Sequence, residues 1–176
     1  MIYNPSEDSY LMHEILKQKL PKLLLKNPNL KFLEIGSGSG IHLEASKKLG
    51  VKNILSVDIN MEAVNHCMSL GFNCIHSDLF EKVKGRHDII IFNPPYLPED
   101  KREPDDSKLE TTGGKKGSEV TNNFLIQARE HLNKDGKIFL ITSSLASKID
   151  WLDYKKIEVG CEKLFMEQLC IWELTL

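Results

Sequence analysis

Apolar residues in this chain form short runs that alternate with segments of helical spacing. Residues 89–92 are β-branched or aromatic without polar alternation, which is typical of a strand buried on both faces of a sheet. Residues 31–35, 53–57 and 72–75 are further extended segments, and stretches with apolar residues at helical intervals follow the first two. Strands that alternate with helices of this length predict an α/β fold with a parallel sheet and right-handed crossovers.

Local signals extend this pattern through the rest of the chain. Asn60 is placed to cap the helix that follows the second strand. The second half predicts a helix at 119–133 and a strand at 137–141 that is opened by Gly136. The sheet is therefore expected to continue beyond the fourth strand.

Polar side chains stand at the ends of four consecutive predicted strands: Glu34, Asp58, Asp78 and Asn93. In parallel α/β sheets, ligands bind outside the carboxyl ends of the strands, which meet at one edge. A single acidic residue after a strand is common because turns favour Asp. A succession of such groups is hard to explain by solvation alone, and it predicts a ligand site at this edge.

A glycine-rich turn, Gly36-Ser37-Gly38-Ser39-Gly40, follows the first strand. Glycine at Gly36, Gly38 and Gly40 lets the backbone approach a ligand closely. The spacing departs from the Gly-x-Gly-x-x-Gly pattern of dinucleotide sites, so nothing in the turn requires a pyrophosphate. We therefore expect this turn to lie against a ligand that is not a dinucleotide.

The acidic residues at the same edge suggest the parts of that ligand. Asp58 lies about twenty residues after the turn, where an acid bonds the hydroxyls of a ribose. Asp78 is placed to accept from an adenine exocyclic amine, and the backbone N–H of Leu79 to donate to the ring. Glu34 and the other carboxylates favour a cationic ligand over an anionic one. Together they predict an adenosine that carries a positive charge.

The fourth strand ends abruptly in Asn93-Pro94-Pro95-Tyr96. The prolines stop the strand and stiffen the chain, so Asn93 is held on a rigid corner. The Asn93 carboxamide and the Pro94 carbonyl are two acceptors for the hydrogens of a planar –NH2 group, and Tyr96 offers a ring for it to stack on. A rigid turn with an exposed tyrosine would also explain Pro-Pro-Tyr, but Asn directly after a buried strand favours the functional interpretation. A charged adenosine beside this grip predicts S-adenosylmethionine with an amide or amine acceptor.

Size and charge limit the alternatives. The chain has 176 residues with 41% hydrophobic content, which predicts one domain spanning 1–176. A formal charge of −2 and a pI of about 6.3 give no electrostatic case for a nucleic-acid protein. No stretch has the character of a signal peptide or a membrane span, so we expect a cytoplasmic protein, with the nucleus as the other compartment.

The cysteines, Cys67, Cys74, Cys161 and Cys170, are widely spaced. They form no Cys-x-x-Cys pair and have no histidine at ligand spacing. We therefore expect them to be reduced and mostly buried, with no metal held by this chain.

The chain resembles the HemK-type class I methyltransferases, which methylate a glutamine of translation release factors. The resemblance covers about residues 3–176 and is carried chiefly by Glu-Ile-Gly-Ser-Gly-Ser-Gly at 34–40, Ser-Asp-Leu at 77–79 and Asn-Pro-Pro-Tyr at 93–96. The opening segment 3–11 and the Gly-Gly-Lys-Lys-Gly of 113–117 are similar to the short eukaryotic and archaeal branch.

This resemblance implies a Rossmann-like fold with a seven-stranded, mainly parallel sheet that ends in an antiparallel strand pair. The extended runs within 156–174 match that pair. It also implies a helical lead-in at 1–29 in place of the larger N-terminal domain of bacterial members, with Asp8 and Ser9 near the methionine or ribose end of the cofactor. Residues 97–118, rich in Pro, Gly and charge, are predicted to form a mobile substrate loop over the site.

The implied reaction is N5-methylation of the glutamine in the Gly-Gly-Gln motif of a peptide chain release factor, with S-adenosylmethionine as the methyl donor. Asn93 and Pro94 would accept the two N–H bonds of the glutamine amide, and Pro95 and Tyr96 would complete its binding. Orientation and desolvation, rather than a strong base, would supply the catalysis. The short branch further implies a small zinc-containing activator subunit, docked along the edge strand predicted at 72–75.

Other functions fit parts of the pattern. A methyltransferase acting on adenine or another base amine of DNA or RNA would use the same grip on a flipped base stacked on Tyr96. The near-neutral charge and the lack of a recognition domain stand against it. A cofactor-dead scaffold is disfavoured because every expected cofactor position carries suitable chemistry, and a nicotinamide oxidoreductase because the phosphate-binding turn is missing.

Overall fold

The computed structural model describes residues 2–100, 102, 104, 108 and 110–176. The helices bounded by described residues are α1 (Glu7–Lys26), α2 (Ile41–Lys48), α3 (Met61–Ser69) and α4 (Glu119–His131). The strands are β1 (Lys31–Ile35), β2 (Asn53–Asp58), β3 (Cys74–His76), β4 (His87–Phe92), β5 (Leu132–Ser143), β6 (Lys155–Lys163) and β7 (Gln168–Thr175). Within this part of the chain, no helix has both the length and the apolar character to cross a membrane.

The strands form one seven-stranded sheet in the order β3-β2-β1-β4-β5-β7-β6. Neighbouring strands from β3 to β5 pair in parallel, while β7 is antiparallel to both β5 and β6. The predicted fold class, a mainly parallel Rossmann-like sheet with an antiparallel C-terminal pair, is confirmed. Because β1 and β4 are central neighbours, the chain reverses its direction of winding beside them, which is where open α/β sheets bind ligands.

The central strand β4 is buried on both faces, as its sequence predicts. Ile89 and Ile91 pack into the apolar layer that includes α1, whereas Ile90 and Phe92 pack into the layer that includes α4. A shift of register by one residue would exchange these two sets of side chains between the layers. The two layers therefore fix the position at which β4 ends.

Phe124 of α4 supports the end of this strand. Its side chain is fully buried, and its ring centroid lies 4.7 Å from that of Phe92 and 5.5 Å from that of Phe80. These aromatic contacts connect α4 to the residue that directly precedes Asn93. The position of the Asn93 corner thus depends on the packing of Phe124 against Phe92.

Some element bounds differ from the predictions. The edge strand is Cys74–His76 instead of 72–75, because the N–H of Phe72 still bonds the Cys67 carbonyl at the end of α3. β5 already begins at Leu132 and includes Gly136, and a register shift of its pairing with β4 absorbs the extra residues.

The prediction that all four cysteines are reduced is wrong in part. Cys161 and Cys170 face each other across β6 and β7, with Cα atoms 4.1 Å apart, and form a disulfide. The antiparallel register brings them together, whereas their separation in sequence suggested no pair. Cys67 and Cys74 are free and buried, as expected.

Replacing Phe124 by alanine is expected to lower the free energy of unfolding by about 3–5 kcal/mol, because it leaves a cavity beneath Phe92. Chemical denaturation of the variant measures this loss. Phe165→Ala is the matched control, since Phe165 is 98% exposed and its truncation should change stability by less than about 0.5 kcal/mol. Equal stabilities for the two variants would contradict the assigned packing.

Candidate active site

A cavity of about 730 Å³ lies at the carboxyl edge of the parallel strands. All but one of the predicted site residues line it: Asp8, Ser9, Glu34, Gly36, Gly38, Asp58, Asp78, Leu79, Asn93, Pro94, Pro95 and Tyr96. The volume is within the range of small-molecule and cofactor sites. The structure therefore brings together residues from distant parts of the sequence.

Gly40 is the predicted site residue that does not line this cavity. It precedes α2 with φ +79°, and a Cβ atom there would lie 3.3 Å from both Cys67 Sγ and Leu70 Cδ1. Glycine at this position permits the close packing of α2 against α3. Its assignment as a cofactor contact stays a prediction.

Asp58 organises the glycine turn. Its Oδ2 accepts the N–H of Gly38 at 2.9 Å, and its Oδ1 accepts the N–H of Asn60 at 2.8 Å. Oδ2 also accepts the Ser37 hydroxyl at 3.3 Å. Each carboxylate oxygen has about two acceptor positions, so Oδ1 retains capacity for a ligand hydroxyl. The position is compatible with the predicted ribose contact and explains why the turn holds its shape.

The turn after β3 carries a strained residue at the cavity wall. Leu79 has φ +44°, a region that residues other than glycine seldom adopt. The Ser77 hydroxyl stabilises the turn by donating to the Leu79 carbonyl at 3.2 Å and accepting from the N–H of Lys82 at 3.0 Å. Asp78 is exposed on this turn and reaches the cavity rim.

Glu34 is almost completely buried beneath the cavity. His42 Nδ1 lies 2.8 Å from its Oε1, while its Oε2 has no hydrogen-bond partner among the described residues. Burial raises the pKa of Glu34, and the hydrogen bond and charge of His42 oppose that rise. A buried acceptor oxygen at the wall of a cavity is suited to a donor or a cation on a ligand.

The start of α1 closes the cavity through Asp8. The hydroxyl of Tyr3 donates to both Asp8 oxygens at 2.9 Å, and that of Tyr96 donates to Oδ2 at 3.3 Å. Burial and the nearby Asp8 carboxylate raise the pKa of Tyr96, so its phenol stays protonated and acts as a donor. Asp8 therefore holds the ring that the Asn-Pro-Pro-Tyr corner presents.

Asn93 has the feature that most directly indicates a substrate site. Its Oδ1 is buried and has no hydrogen-bond partner among the described residues. The adjacent Pro94 is buried as well, and both residues line the cavity beside Tyr96. Leaving a buried amide oxygen unpaired costs about 1–3 kcal/mol, which a bound N–H group would recover.

The glycines of 113–117 pack directly against this corner. A Cβ atom on Gly113 would lie 2.5 Å from the Pro95 carbonyl oxygen, and one on Gly117 would lie 2.4 Å from the Tyr96 carbonyl oxygen. The N–H of Gly113 also donates to the Leu97 carbonyl at 2.9 Å. Only residues without side chains can approach this closely, so the segment buttresses the corner from behind.

The predicted loop 97–118 contributes to the cavity, although residues 101, 103, 105–107 and 109 lie outside the described set. Its described lining residues are Leu97, Glu99, Lys108, Glu110, Thr111, Thr112, Gly114 and Lys115. The N–H of Leu97 donates to the Thr111 carbonyl at 2.8 Å, which joins the two sides of the loop. Its mobility and its contact with substrate stay predictions.

Sequence reasoning missed several residues of the site. Tyr3 and His42 line the cavity and are the partners of Asp8 and Glu34. Glu110 is a further acid there, and burial raises its pKa. The position of His42, eight residues after Glu34, could have indicated their contact. The first turn of α2 follows the glycine turn, so a side chain there can reach back to β1.

Comparison with known proteins identifies the family. The model of the family described as "Methyltransferase small domain" matches residues 13–157. The chain belongs to this methyltransferase family. It is 37% identical to MJ0928 of Methanocaldococcus jannaschii, provisionally named a protein N5-glutamine methyltransferase, over 88% of this chain and 79% of that protein. The predicted HemK-type membership is confirmed, and the chain is an S-adenosylmethionine-dependent methyltransferase.

Two further similarities agree with this assignment. The eRF1 methyltransferase catalytic subunit mtq2 of Schizosaccharomyces pombe is 27% identical over 80% of this chain and 71% of its own. The T. thermophilus 16S rRNA N2 G1207 methyltransferase RsmC, solved with AdoMet and guanosine, superposes with a TM-score of 0.66. That structure is 16% identical and aligns with 99% of this chain and 44% of its own, so it supports the fold alone.

The cavity residues fit S-adenosylmethionine. Gly36 and Gly38 have φ of +72° and +47°, so the turn between them exposes backbone that carries no side chain toward the cavity. Asp58 has acceptor capacity for hydroxyls, and the unpartnered oxygen of Glu34 suits a positive charge. Ile35 pairs with Phe92 in the register of β1 and β4, so the glycine turn and the Asn93 corner follow neighbouring strand ends in the same cavity wall.

Gly113→Ala is expected to lower turnover by on the order of tenfold or more, because the added methyl group displaces the Pro95 backbone and small misplacements of reacting groups are costly. Steady-state kinetics of the variant measure this. Gly85→Ala is the control: no atom lies within 4 Å of the added methyl group, and the left-handed backbone alone should cost about 1 kcal/mol of stability. Unchanged turnover in Gly113→Ala would contradict the conclusion that residues 113–117 support the Asn93 corner.

Proposed function

We propose that this methyltransferase transfers the methyl group of S-adenosylmethionine to the side-chain amide nitrogen of a glutamine, and that this glutamine belongs to the Gly-Gly-Gln motif of a peptide chain release factor. The observation that carries the proposal is the buried, unpartnered Oδ1 of Asn93 beside the Pro94 carbonyl and the Tyr96 ring. The name of MJ0928 supports the choice of a glutamine acceptor, and that of mtq2, an eRF1 methyltransferase subunit, supports a release factor.

The corner is suited to an amide because it offers hydrogen-bond acceptors and an aromatic ring. The amide nitrogen of glutamine is a poor nucleophile, since its lone pair is delocalised into the carbonyl. Asn93 Oδ1 and the Pro94 carbonyl oxygen would each accept one N–H of that amide, while Tyr96 packs against its plane. This grip orients the nitrogen, and positioning of this kind can contribute about 7–11 kcal/mol toward lowering a barrier.

The bound cofactor would supply an electrophilic methyl group on a sulfonium centre. Tyr96 is not suited to remove a proton beforehand, because burial raises its pKa and its hydroxyl donates to Asp8. The amide proton would leave after the nitrogen has gained the methyl group. The protein's contribution is therefore to hold the amide and exclude water around it.

Methyl transfer from labelled S-adenosylmethionine tests the proposal. A release factor, its Gln→Asn variant in the Gly-Gly-Gln motif, total RNA and DNA serve as acceptors. Label on the release factor that disappears in the Gln→Asn variant is the expected result. Label on nucleic acid alone would instead support an N6-adenine methyltransferase that grips a flipped base in the same corner.

We further propose that the chain is the catalytic subunit of a heterodimer with a small zinc-containing activator. β3 is an edge strand of three residues, and its unpaired backbone groups offer a surface for strand addition. Met68 and Leu70, on the adjoining end of α3, are 56% and 38% exposed. A partner on this β3 edge would cover both the strand and these side chains.

The isolated chain should therefore aggregate, and a monodisperse, fully active monomer would contradict the heterodimer.

Asn93→Ala is expected to reduce turnover at least about a hundredfold, because the amide loses an acceptor that orients it. The dissociation constant for S-adenosylmethionine, measured by calorimetry, should stay within about threefold of the wild-type value. Asn123→Ala is the control, since Asn123 is exposed on α4 and its side-chain oxygen accepts from Gln127 of the same helix. Wild-type turnover in Asn93→Ala would remove Asn93 from the mechanism.

Met68→Glu is expected to prevent stimulation of methyl transfer by the activator, because it places a charge on the apolar surface beside β3. Sedimentation of the mixed subunits should show loss of the complex. Ile126→Glu tests whether any new surface charge has this effect, since Ile126 is 59% exposed on α4. Full stimulation of Met68→Glu would exclude this surface as the docking site.

A further inference from the structure

His42 is a buried ionisable residue beside the cavity that the proposed chemistry does not use. It lies in the first turn of α2 and is 4% exposed. Its Nδ1 is 2.8 Å from Glu34 Oε1, and its Nε2 is 3.1 Å from the Ser9 carbonyl oxygen. A ring bonded at both nitrogens has a single orientation, here between β1 and the start of α1.

The partners of His42 determine its protonation. A carbonyl oxygen and an ionised carboxylate both accept, so only the doubly protonated imidazolium donates to both. The other oxygen of Glu34 is buried without a partner among the described residues, and Glu34 lines the cavity. The ion pair thus uses one carboxylate oxygen and leaves the second for another cation.

We propose that His42 is a positioning residue for cofactor binding: it keeps Glu34 ionised with one oxygen available to the positively charged methionine end of S-adenosylmethionine, and it fastens the start of α1 beside that site. The residue acts through Glu34 and Ser9. The inference depends on cofactor binding alone and holds for any methyl acceptor.

The surrounding charges support this arrangement. Burial would lower the pKa of His42, but the hydrogen bond and charge of Glu34 outweigh burial and raise it, and Asp8 on α1 acts in the same direction. His13, one turn further along α1, also faces His42; burial lowers the pKa of His13, which keeps it neutral near neutral pH. Glu34 and Asp8 are therefore the charges that stabilise the imidazolium.

The pH dependence follows from Glu34. Burial and the charge of nearby Asp58 raise the pKa of Glu34, and the hydrogen bond and charge of His42 oppose that rise. The attraction of a cation is present above the pKa of Glu34 and lost as pH falls through it. Removing His42 removes this opposition, so the pKa rises further. A variant without His42 should lose cofactor affinity at a higher pH than the wild type.

Calorimetric titration of the full chain with S-adenosylmethionine across mildly acidic to mildly alkaline pH tests this. His42→Gln should bind about tenfold more weakly at neutral pH, with the acidic loss of affinity moved to higher pH. His87→Gln is the matched control, because His87 is a buried histidine at the opposite end of β4. A wild-type pH profile in His42→Gln, or the same change in His87→Gln, would overturn the proposal.

A double-mutant cycle separates positioning from an independent effect. If His42 acts through Glu34, adding His42→Gln to Glu34→Gln should weaken binding by less than about threefold beyond Glu34→Gln alone. Additive losses would overturn the claim that His42 acts on cofactor binding through Glu34. The double variant also lacks an unpaired buried carboxylate, so the comparison stands even where His42→Gln alone folds poorly.

The contact with Ser9 has its own readout. Amide hydrogen exchange in the first turn of α1 should become faster in His42→Gln and stay unchanged in His87→Gln. Wild-type protection of that turn in His42→Gln would show that His42 does not fasten it.

Discussion

The position at which β4 ends is the constraint on which the active site depends. Burial of Ile89 to Phe92 between two apolar layers allows the strand one register, and Pro94 and Pro95 end it immediately afterwards. This packing holds Asn93 at a defined position, although its side-chain Oδ1 has no hydrogen-bond partner among the described residues. Its side-chain oxygen can stay unpaired for a substrate because the backbone around it is held by packing.

Burial also explains how the cavity is closed. Asp8, Glu34 and Asp58 each lie at most 8% exposed, and such carboxylates require partners. The hydroxyls of Tyr3 and Tyr96 donate hydrogen bonds to Asp8, and His42 bonds Glu34. Backbone N–H groups donate to Asp58. These bonds run from the substrate corner through the start of α1 to the cofactor side. Among the described residues that line the cavity, Asn93 Oδ1, Glu34 Oε2 and Glu110 Oε1 are buried oxygens without a partner, and the first two are the proposed acceptors for an amide and a cation.

The fold and most of the site could be predicted from local sequence, because strand ends, glycine turns and the proline corner are short-range signals. Contacts between residues that are distant in sequence could not be predicted in this way. Nothing near Asp8 in sequence shows that Tyr96 bonds it, and the pairing of Cys161 with Cys170 depends on the register of β6 and β7. The close packing of α2 and α3 at Gly40 could not be predicted either, because a glycine at a helix–helix contact looks the same in sequence as one at a ligand contact. The close approach of Gly113 and Gly117 to the corner likewise depends on tertiary packing.

In the proposed mechanism, Asn93 and Pro94 hold the amide that is methylated. The decisive measurement is a crystal structure of this chain with S-adenosylhomocysteine and a peptide containing Gly-Gly-Gln. We expect the glutamine nitrogen to lie within hydrogen-bond distance, about 2.7–3.2 Å, of both Asn93 Oδ1 and the Pro94 carbonyl oxygen. A glutamine amide bound elsewhere in the cavity, with Asn93 Oδ1 still unpaired, would contradict it.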